Sequence, residues 1–277
     1  MSVSHYLSSL QIEREPFSTS PDPVFFYQSA QHKTALHRLE IAIRLKRGLS
    51  LILADVGMGK TTLSRALIQA FNQEQDEYLF HLILDPCFDS RSEFLAHLTK
   101  AFGIRPSFRH VIDYREAIEK YLFQKAVEEK KTVILIIDEG QKLTDAQLET
   151  LRTLLNYETN EYKLLQLVIL GQLELLERIK KVHNFMDRVS LKYILEPLNE
   201  EETASLIDFR LRQAGYKEER KLFTPESIHA IHHFAQGHPR KITMLCHQAM
   251  ERLIMDGYEM VSADLIDNII VRERHWA

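Results

Sequence analysis

The stretch LILADVGMGKTT, Leu51 to Thr62, ends in Gly59, Lys60 and Thr61. It nearly completes G-x-x-x-x-G-K-[ST], a loop whose backbone N–H groups close around phosphate. The first glycine of that pattern is here Ala54. Such a loop needs bare amides and the positive end of a following helix, and Gly57 and Gly59 leave the backbone room to curl. Asp55, Val56, Gly57, Met58, Gly59, Lys60, Thr61 and Thr62 are therefore the candidate phosphate cradle. In that role Lys60 reaches the terminal phosphates of a nucleoside triphosphate and Thr61 holds Mg2+. Ala54 costs little if its φ is negative, and about 1 kcal/mol or more if a positive φ is required.

A second stretch, TVILIIDEGQ, is an apolar run that closes on Asp138 and Glu139. A phosphate-bound magnesium needs a carboxylate at the end of the neighbouring strand, the place read for Asp138. A second carboxylate, Glu139, can orient and polarise the attacking water. Either pattern alone has an ordinary structural explanation. Together, both at the C-terminal ends of strands, they point to nucleotide binding.

Other reactive side chains carry less. His229, His232, His233 and His238 fall at helical spacing, yet no acidic or cysteine ligand is placed with them, so they read as part-exposed helix residues. Cys87 and Cys246 belong to no CxxC pair and read as reduced, buried thiols.

Positioning the two motifs requires strands that deliver them to one edge of a sheet. Short apolar runs at 49–54, 78–84, 132–138, 164–170 and 191–195 read as strands covered on both faces. Helical patterns at 61–71, 91–102, 112–129, 145–157 and 173–182 separate them, and another at 30–46 precedes them. The alternation implies an α/β domain with a parallel sheet and helices on both faces. After LEPLNEEE only helical patterns follow, opened by Asn199 and by Thr224–Pro225 as caps. The expected division is an irregular segment at 1–28, containing Pro16, Pro21 and Pro23, an α/β domain at 29–196, and a small helical domain at 197–277.

The chain has 277 residues, 45% hydrophobic and 27% charged, with a net charge of −4, so no bulk basicity marks a nucleic-acid binder. The basic spots at LKRG and Lys180–Lys181 are short enough to be solvated surface. No apolar run is long enough to span a bilayer, and the N-terminus lacks the basic start and apolar core of a signal peptide. The expected location is the cytoplasm, without membrane insertion, any membrane contact passing through a partner.

PFSTSPDPVFFYQSAQHKTAL, DVGMGKTTLSRAL, IIDEGQKL, LETLRTLLNYETNEYKLLQLVILGQLEL, DRVSLKYILEPLNEEET and GHPRKITMLC together resemble the AAA+ ATPases. Within them the likeness is to the ExeA/GspA/MshM-like group tied to secretion and pilus assembly. The resemblance implies a P-loop NTPase sheet domain with a C-terminal helical lid, ATP and Mg2+ as ligands, and hydrolysis of ATP to ADP and phosphate. It implies a polar sensor ending a strand that lies between the two motif strands, matched by Gln172. It implies a second sensor, Arg240 in GHPRK, whose planar guanidinium suits phosphate. It also implies an arginine lent to a neighbouring subunit, matched by Arg188 with Arg178 and Arg152 as rivals. Phe25, Phe26 and Tyr27 either cover the adenine, as in similar ATPases, or pack a core.

The implied partners are further copies of the chain in a ring or arc, and inner-membrane secretion or pilus proteins. The transmembrane helix and wall-binding domain that such relatives often carry have no counterpart in these residues, so wall contact is not expected. Ala54 and Gly140 depart from the group's glycine and alanine. They predict weaker nucleotide affinity and a looser helix cap beside Glu139, or, at the extreme, a nucleotide-gated scaffold without turnover. The alternative function is a DNA-binding AAA+ ATPase of transposition or another DNA transaction.

Overall fold

The computed structural model describes residues 12–20, 22–105 and 110–274, with Glu273 and Arg274 described by backbone alone. Pro21 of the proline-rich lead-in lies outside them. By contact the chain divides into two compact units. One comprises Ala30–Val56 and Leu63–Leu195; the other comprises the described parts of Met1–Ser29, Gly57–Thr62 and Glu196–Ala277.

The first unit is built on five parallel strands, β1 (Leu49–Leu53), β2 (Tyr78–Ile83), β3 (Thr132–Ile137), β4 (Leu165–Gly171) and β5 (Val189–Ile194). Their lateral order is β2-β3-β4-β1-β5. Every residue of β1, β3 and β4 is buried, including the polar Ser50, Thr132 and Gln166, as strands covered on both faces require. The two edge strands depart from that reading. β2 is largely half-buried, and β5 alternates between half-buried and exposed, because Ser190, Lys192 and Ile194 turn away from the packed face.

The order corrects one expectation. β3, which carries the acidic pair, is not the neighbour of β1; β4 lies between them, pairing Leu51 with Ile169 on one side and Ile137 with Ile169 on the other. That is the arrangement implied by the family resemblance.

Helices cover both faces. Leu49, Leu51 and Leu53 join Val133, Leu135, Leu167 and Ile169 in a core closed by α3 (Arg91–Ala101), α4 (Val111–Phe123), α5 (Asp145–Leu154) and α6 (Glu174–Lys181). The alternate residues Ile52, Ile134, Ile136, Val168 and Leu170 are buried on the opposite face, where α1 (Ala30–Arg44) packs on β1 and β5. α2 (Lys60–Ala70) begins inside the phosphate-loop sequence. The pattern at 112–129 is not one regular helix: α4 ends at Phe123 and a π-turn follows over Gln124–Glu128.

The second unit packs α7 (Glu200–Gln213), α8 (Pro225–Ala235), α9 (Pro239–Asp256) and α10 (Ala263–Arg274) around Leu206, Ile231, Ile242, Cys246 and Ile266. Asn199 caps α7 by accepting from the Glu202 N–H, and Thr224 caps α8 by accepting from Ser227. The lead-in belongs to this unit. Glu13 and Arg14 donate their N–H groups to the Ala214 carbonyl, and Phe17 meets Phe223 edge-on at 5.8 Å. The buried Arg210 guanidinium donates to Ser18 O at 2.7 Å and to Thr243 Oγ1 at 2.8 Å. Phe25 fills the same helical core, and Tyr27 packs near Phe209.

No helix among the described residues is long and apolar enough to cross a membrane. Cys246 is buried, whereas Cys87 is exposed, contrary to expectation. It sits in the loop after β2, beyond Pro86, where the chain has left the sheet.

Candidate nucleotide site

β1 leads straight into the loop. Ala54 is fully buried and donates its N–H to Gly171 O at 3.0 Å, extending the β1–β4 ladder by one residue. It is not among the residues with positive φ, so its methyl sits on ordinary extended backbone and the departure from glycine carries no backbone strain. The left-handed turns fall instead at Gly57 (φ +81°) and Gly59 (φ +88°). α2 starts at Lys60, so its unpaired N–H groups face the turn they close. The Lys60 side chain is buried, Thr61 and Thr62 are half-buried, and Asp55 and Val56 are exposed. Met58 is buried as well, which leaves its backbone alone to a ligand.

Arg240 stands in the first turn of α9, behind Pro239, and its N–H donates to Gly57 O at 3.2 Å. A Cβ on Gly57 would lie 2.7 Å from the Arg240 Cβ. The loop glycine is thus required both for its φ and for the close approach of the arginine backbone. The Arg240 side chain itself is exposed.

At the same edge of the sheet as Ala54, β3 delivers the acidic pair. Asp138 is buried, its N–H donating to Ile83 O of β2 at 2.8 Å while its Oδ1 accepts the Glu139 N–H at 2.8 Å. Glu139 adopts φ +53°, a conformation that costs an ordinary residue about 1 kcal/mol or more. The turn that follows places Gln141 between two partners. Its Nε2 donates to Glu139 Oε2 at 2.6 Å, and its Oε1 accepts the backbone N–H of Gln172 at 3.1 Å. Gln172 follows the last residue of β4 and is half-buried. Lys142 pairs with Asp85 at 3.0 Å; that bond chiefly holds its ammonium above the usual lysine range, and the charge of Glu139 adds to the effect. Asp138, Glu139 and Gln172 therefore gather at one edge; Gln141 was missed by sequence reasoning, although it is the last residue of the D-E-x-Q pattern.

Gly140 does not loosen this turn. A methyl there would stand 2.5 Å from Ile169 Cγ2 and 3.1 Å from both Leu170 O and Leu175 Cδ2. The glycine lets the turn after β3 lie against β4. Introducing the group's alanine by Gly140→Ala is expected to destabilise the fold by about 1–3 kcal/mol. Denaturant unfolding checks this: an unchanged midpoint means Ile169 moves aside freely.

Arg188 lies elsewhere. It precedes β5, whose Val189 pairs with Leu49 at the starting end of β1. That end is a strand's length, about 15–20 Å, from the edge bearing Asp138 and Glu139. There Arg188 lines a cavity of about 440 Å³ with Arg47, Lys163, Asn184 and Asp187. Its Nε is buried without a hydrogen-bond partner among the described residues. Glu158 is held below the usual carboxylate range chiefly by its bond to Lys163, with the Arg188 charge adding. The rivals are engaged: Arg178 donates to Leu143 O at 2.6 Å, and Arg152 pairs with Glu149 at 2.7 Å.

Of the histidines, His229 meets Glu200 at 3.1 Å and His232 meets Thr203 Oγ1 at 3.0 Å. An acidic neighbour thus exists, but no group of three metal-ligating side chains occurs among the described residues.

Comparison with known proteins places the family and the fold. Residues 43–179 match the family described as AAA domain. General secretion pathway protein A of Aeromonas hydrophila is 32% identical over 270 residues, which cover 94% of this chain and 47% of that protein. The chain therefore spans about half the length of that relative. Among solved structures, Cdc6p from Pyrobaculum aerophilum aligns with a TM-score of 0.67 at 15% identity, covering 86% of this chain and 67% of that one. The Aeropyrum pernix ORC1 protein, solved in complex with DNA, aligns with a TM-score of 0.66 at 16% identity, covering 95% and 70%. These two likenesses speak to the fold, and the secretion-pathway relative to the group. The chain belongs to the AAA+ ATPases, in their ExeA/GspA-like group.

Proposed function

We propose that this chain binds ATP with Mg2+ and hydrolyses it as an oligomeric switch or assembly factor for a bacterial secretion or pilus apparatus. The observation that carries the reading is the sheet edge itself. The strand that opens into the glycine loop and the strand that ends in Asp138–Glu139 finish on the same side, one strand apart. The donor set fits the ligand: left-handed glycines expose amides for phosphate, and a hydroxyl and a carboxylate are the hard oxygen ligands magnesium takes.

In this reading, the backbone of 55–59 and the Lys60 ammonium hold the terminal phosphates, and Arg240 adds a planar cation. Thr61 and Asp138 hold Mg2+, which supplies charge neutralisation on the phosphate oxygens. Glu139 orients a water and accepts its proton as the oxygen attacks phosphorus, so that ATP and water become ADP and phosphate. Gln172 contributes a polar group at the end of β4, and the helical residues from 197 onward act as the lid. Arg188, far from its own chain's acidic pair, serves a neighbouring copy in a ring or arc. For work at the inner membrane with secretion or pilus proteins, from the cytoplasmic side, the support is the likeness to general secretion pathway protein A.

The test is the ATPase rate per subunit against protein concentration, with and without duplex DNA. A rate that climbs with concentration and ignores DNA supports the reading; a concentration-independent rate that DNA stimulates replaces it with the DNA-transaction alternative. Arg188→Ala is expected to lower turnover on the order of 10³-fold while ATP affinity stays unchanged. Doping the variant into wild type should depress the mixture more than dilution does. Turnover equal to wild type removes Arg188 from the reaction.

A further inference from the structure

Gln141 has no assigned role, yet its side chain bridges two partners at the acidic edge. It is buried, and its amide spans from the Glu139 carboxylate, at 2.6 Å, to the backbone N–H of Gln172, at 3.1 Å. A backbone N–H can only donate and a carboxylate accepts, so one amide orientation satisfies both partners. Neither end of the bridge is slack. Gly171, just before Gln172, has no room for a side chain: a Cβ there would stand 2.6 Å from Leu175 Cδ2 and 3.4 Å from the Gln141 N. At the other end, Gly140 is pressed onto Ile169 of β4 and Glu139 is held at φ +53°. A shift of the β4 terminus relative to the turn after β3 therefore pulls on the amide, and the amide pulls on the carboxylate.

We propose that Gln141 is a positioning residue that ties the end of β4, where Gln172 stands, to the orientation of the Glu139 carboxylate, so that water activation depends on the state of that strand end. The proposal rests on the reading of Glu139 as the water-activating acid. Gln141 acts through its neighbour: it sets where the carboxylate points and transmits displacement of the β4 end to it. A glutamine suits this task where a glutamate does not, because only a neutral group offers a donor to one partner and an acceptor to the other.

The experiment uses the full chain with ATP and Mg2+. Steady-state turnover and ATP affinity are measured for wild type, Gln141→Ala, Gln141→Glu and Glu139→Gln. Gln141→Ala is expected to lower kcat by roughly tenfold or more with ATP affinity within about twofold of wild type. Gln141→Glu is the near-isosteric check. Its carboxylate still accepts the Gln172 N–H but offers no donor to Glu139. Its kcat should therefore fall at least as far as that of Gln141→Ala, with ATP affinity again within about twofold of wild type.

A Gln141→Glu enzyme with wild-type kcat overturns the proposal. So does a Gln141→Ala enzyme with unchanged kcat, or one that loses ATP affinity in step with kcat, which marks a structural role. If Glu139→Gln hydrolyses ATP like wild type, the reading of Glu139 fails and the proposal falls with it. If Glu139→Gln is inactive and Gln141→Ala is not, the proposal alone fails.

Discussion

Glu139→Gln is expected to bind ATP as tightly as wild type and to hydrolyse it about 10²–10⁴-fold more slowly. The substitution keeps the size and shape of the side chain, and it leaves intact the backbone bond from the Glu139 N–H to Asp138 Oδ1. The left-handed backbone at φ +53° is equally strained for either residue. What is lost is the acceptor for the water's proton. Lys60→Ala should fail differently, losing affinity itself, because the buried ammonium balances phosphate charge in the ground state as well as the transition state. Equilibrium binding of a fluorescent ATP analogue and phosphate release, measured on both variants, separate the two outcomes. Turnover of Glu139→Gln at the wild-type rate would remove this residue as the water-activating acid.

The part of the fold legible in the sequence is the part where burial is uniform. LSLIL, TVILII and LQLVILG are almost wholly apolar, with only Ser50, Thr132 and Gln166 polar, and they form the three central strands. VSLKYI alternates, and that alternation already carries the signature of an edge strand with one packed face. Lateral order was not legible from the two motifs. Spacing along the chain says where a strand ends, not which strand lies beside it, so the insertion of β4 between β1 and β3 came only from the family likeness.

The lead-in was opaque for a different reason. Its prolines exclude regular structure, but its attachment to the helical unit runs through the Ala214 carbonyl and through Arg210, a cation buried inside a helix whose charge pattern reads as solvent-facing. Within the site, the glycines at 57 and 59 were legible because only glycine takes their φ without strain. Gln141 was not. A reading that looks for charge stops at the acids, whereas an amide is significant only once both of its partners are placed in space.

A glycine of the GHPRK stretch gives the largest expected effect on stability. Gly237 has φ +70°, and a Cβ there would stand 2.1 Å from Leu198 O, 2.9 Å from Leu198 N and 3.0 Å from Pro197 Cβ. Two of those atoms are backbone and cannot swing aside, and the Leu198 N–H already donates to Gly237 O at 2.9 Å. Gly237→Ala must therefore break this contact as well as strain φ, at a cost on the order of 3 kcal/mol or more. Gly257 is the internal control: its φ is also +70°, but nothing lies within 4 Å of the corresponding Cβ. Gly257→Ala should cost only the backbone term, about 1 kcal/mol. Thermal unfolding of the two variants separates conformation from collision, with a drop of roughly 6–12 °C expected for Gly237→Ala and a third of that for Gly257→Ala. ATP affinity should follow the first variant alone, because Gly237 leads directly into Pro239 and Arg240, whose N–H bonds Gly57 O. Equal losses of stability in the two variants would mean that the Leu198 backbone does not approach Gly237 this closely, and the glycine of this stretch would then need another explanation.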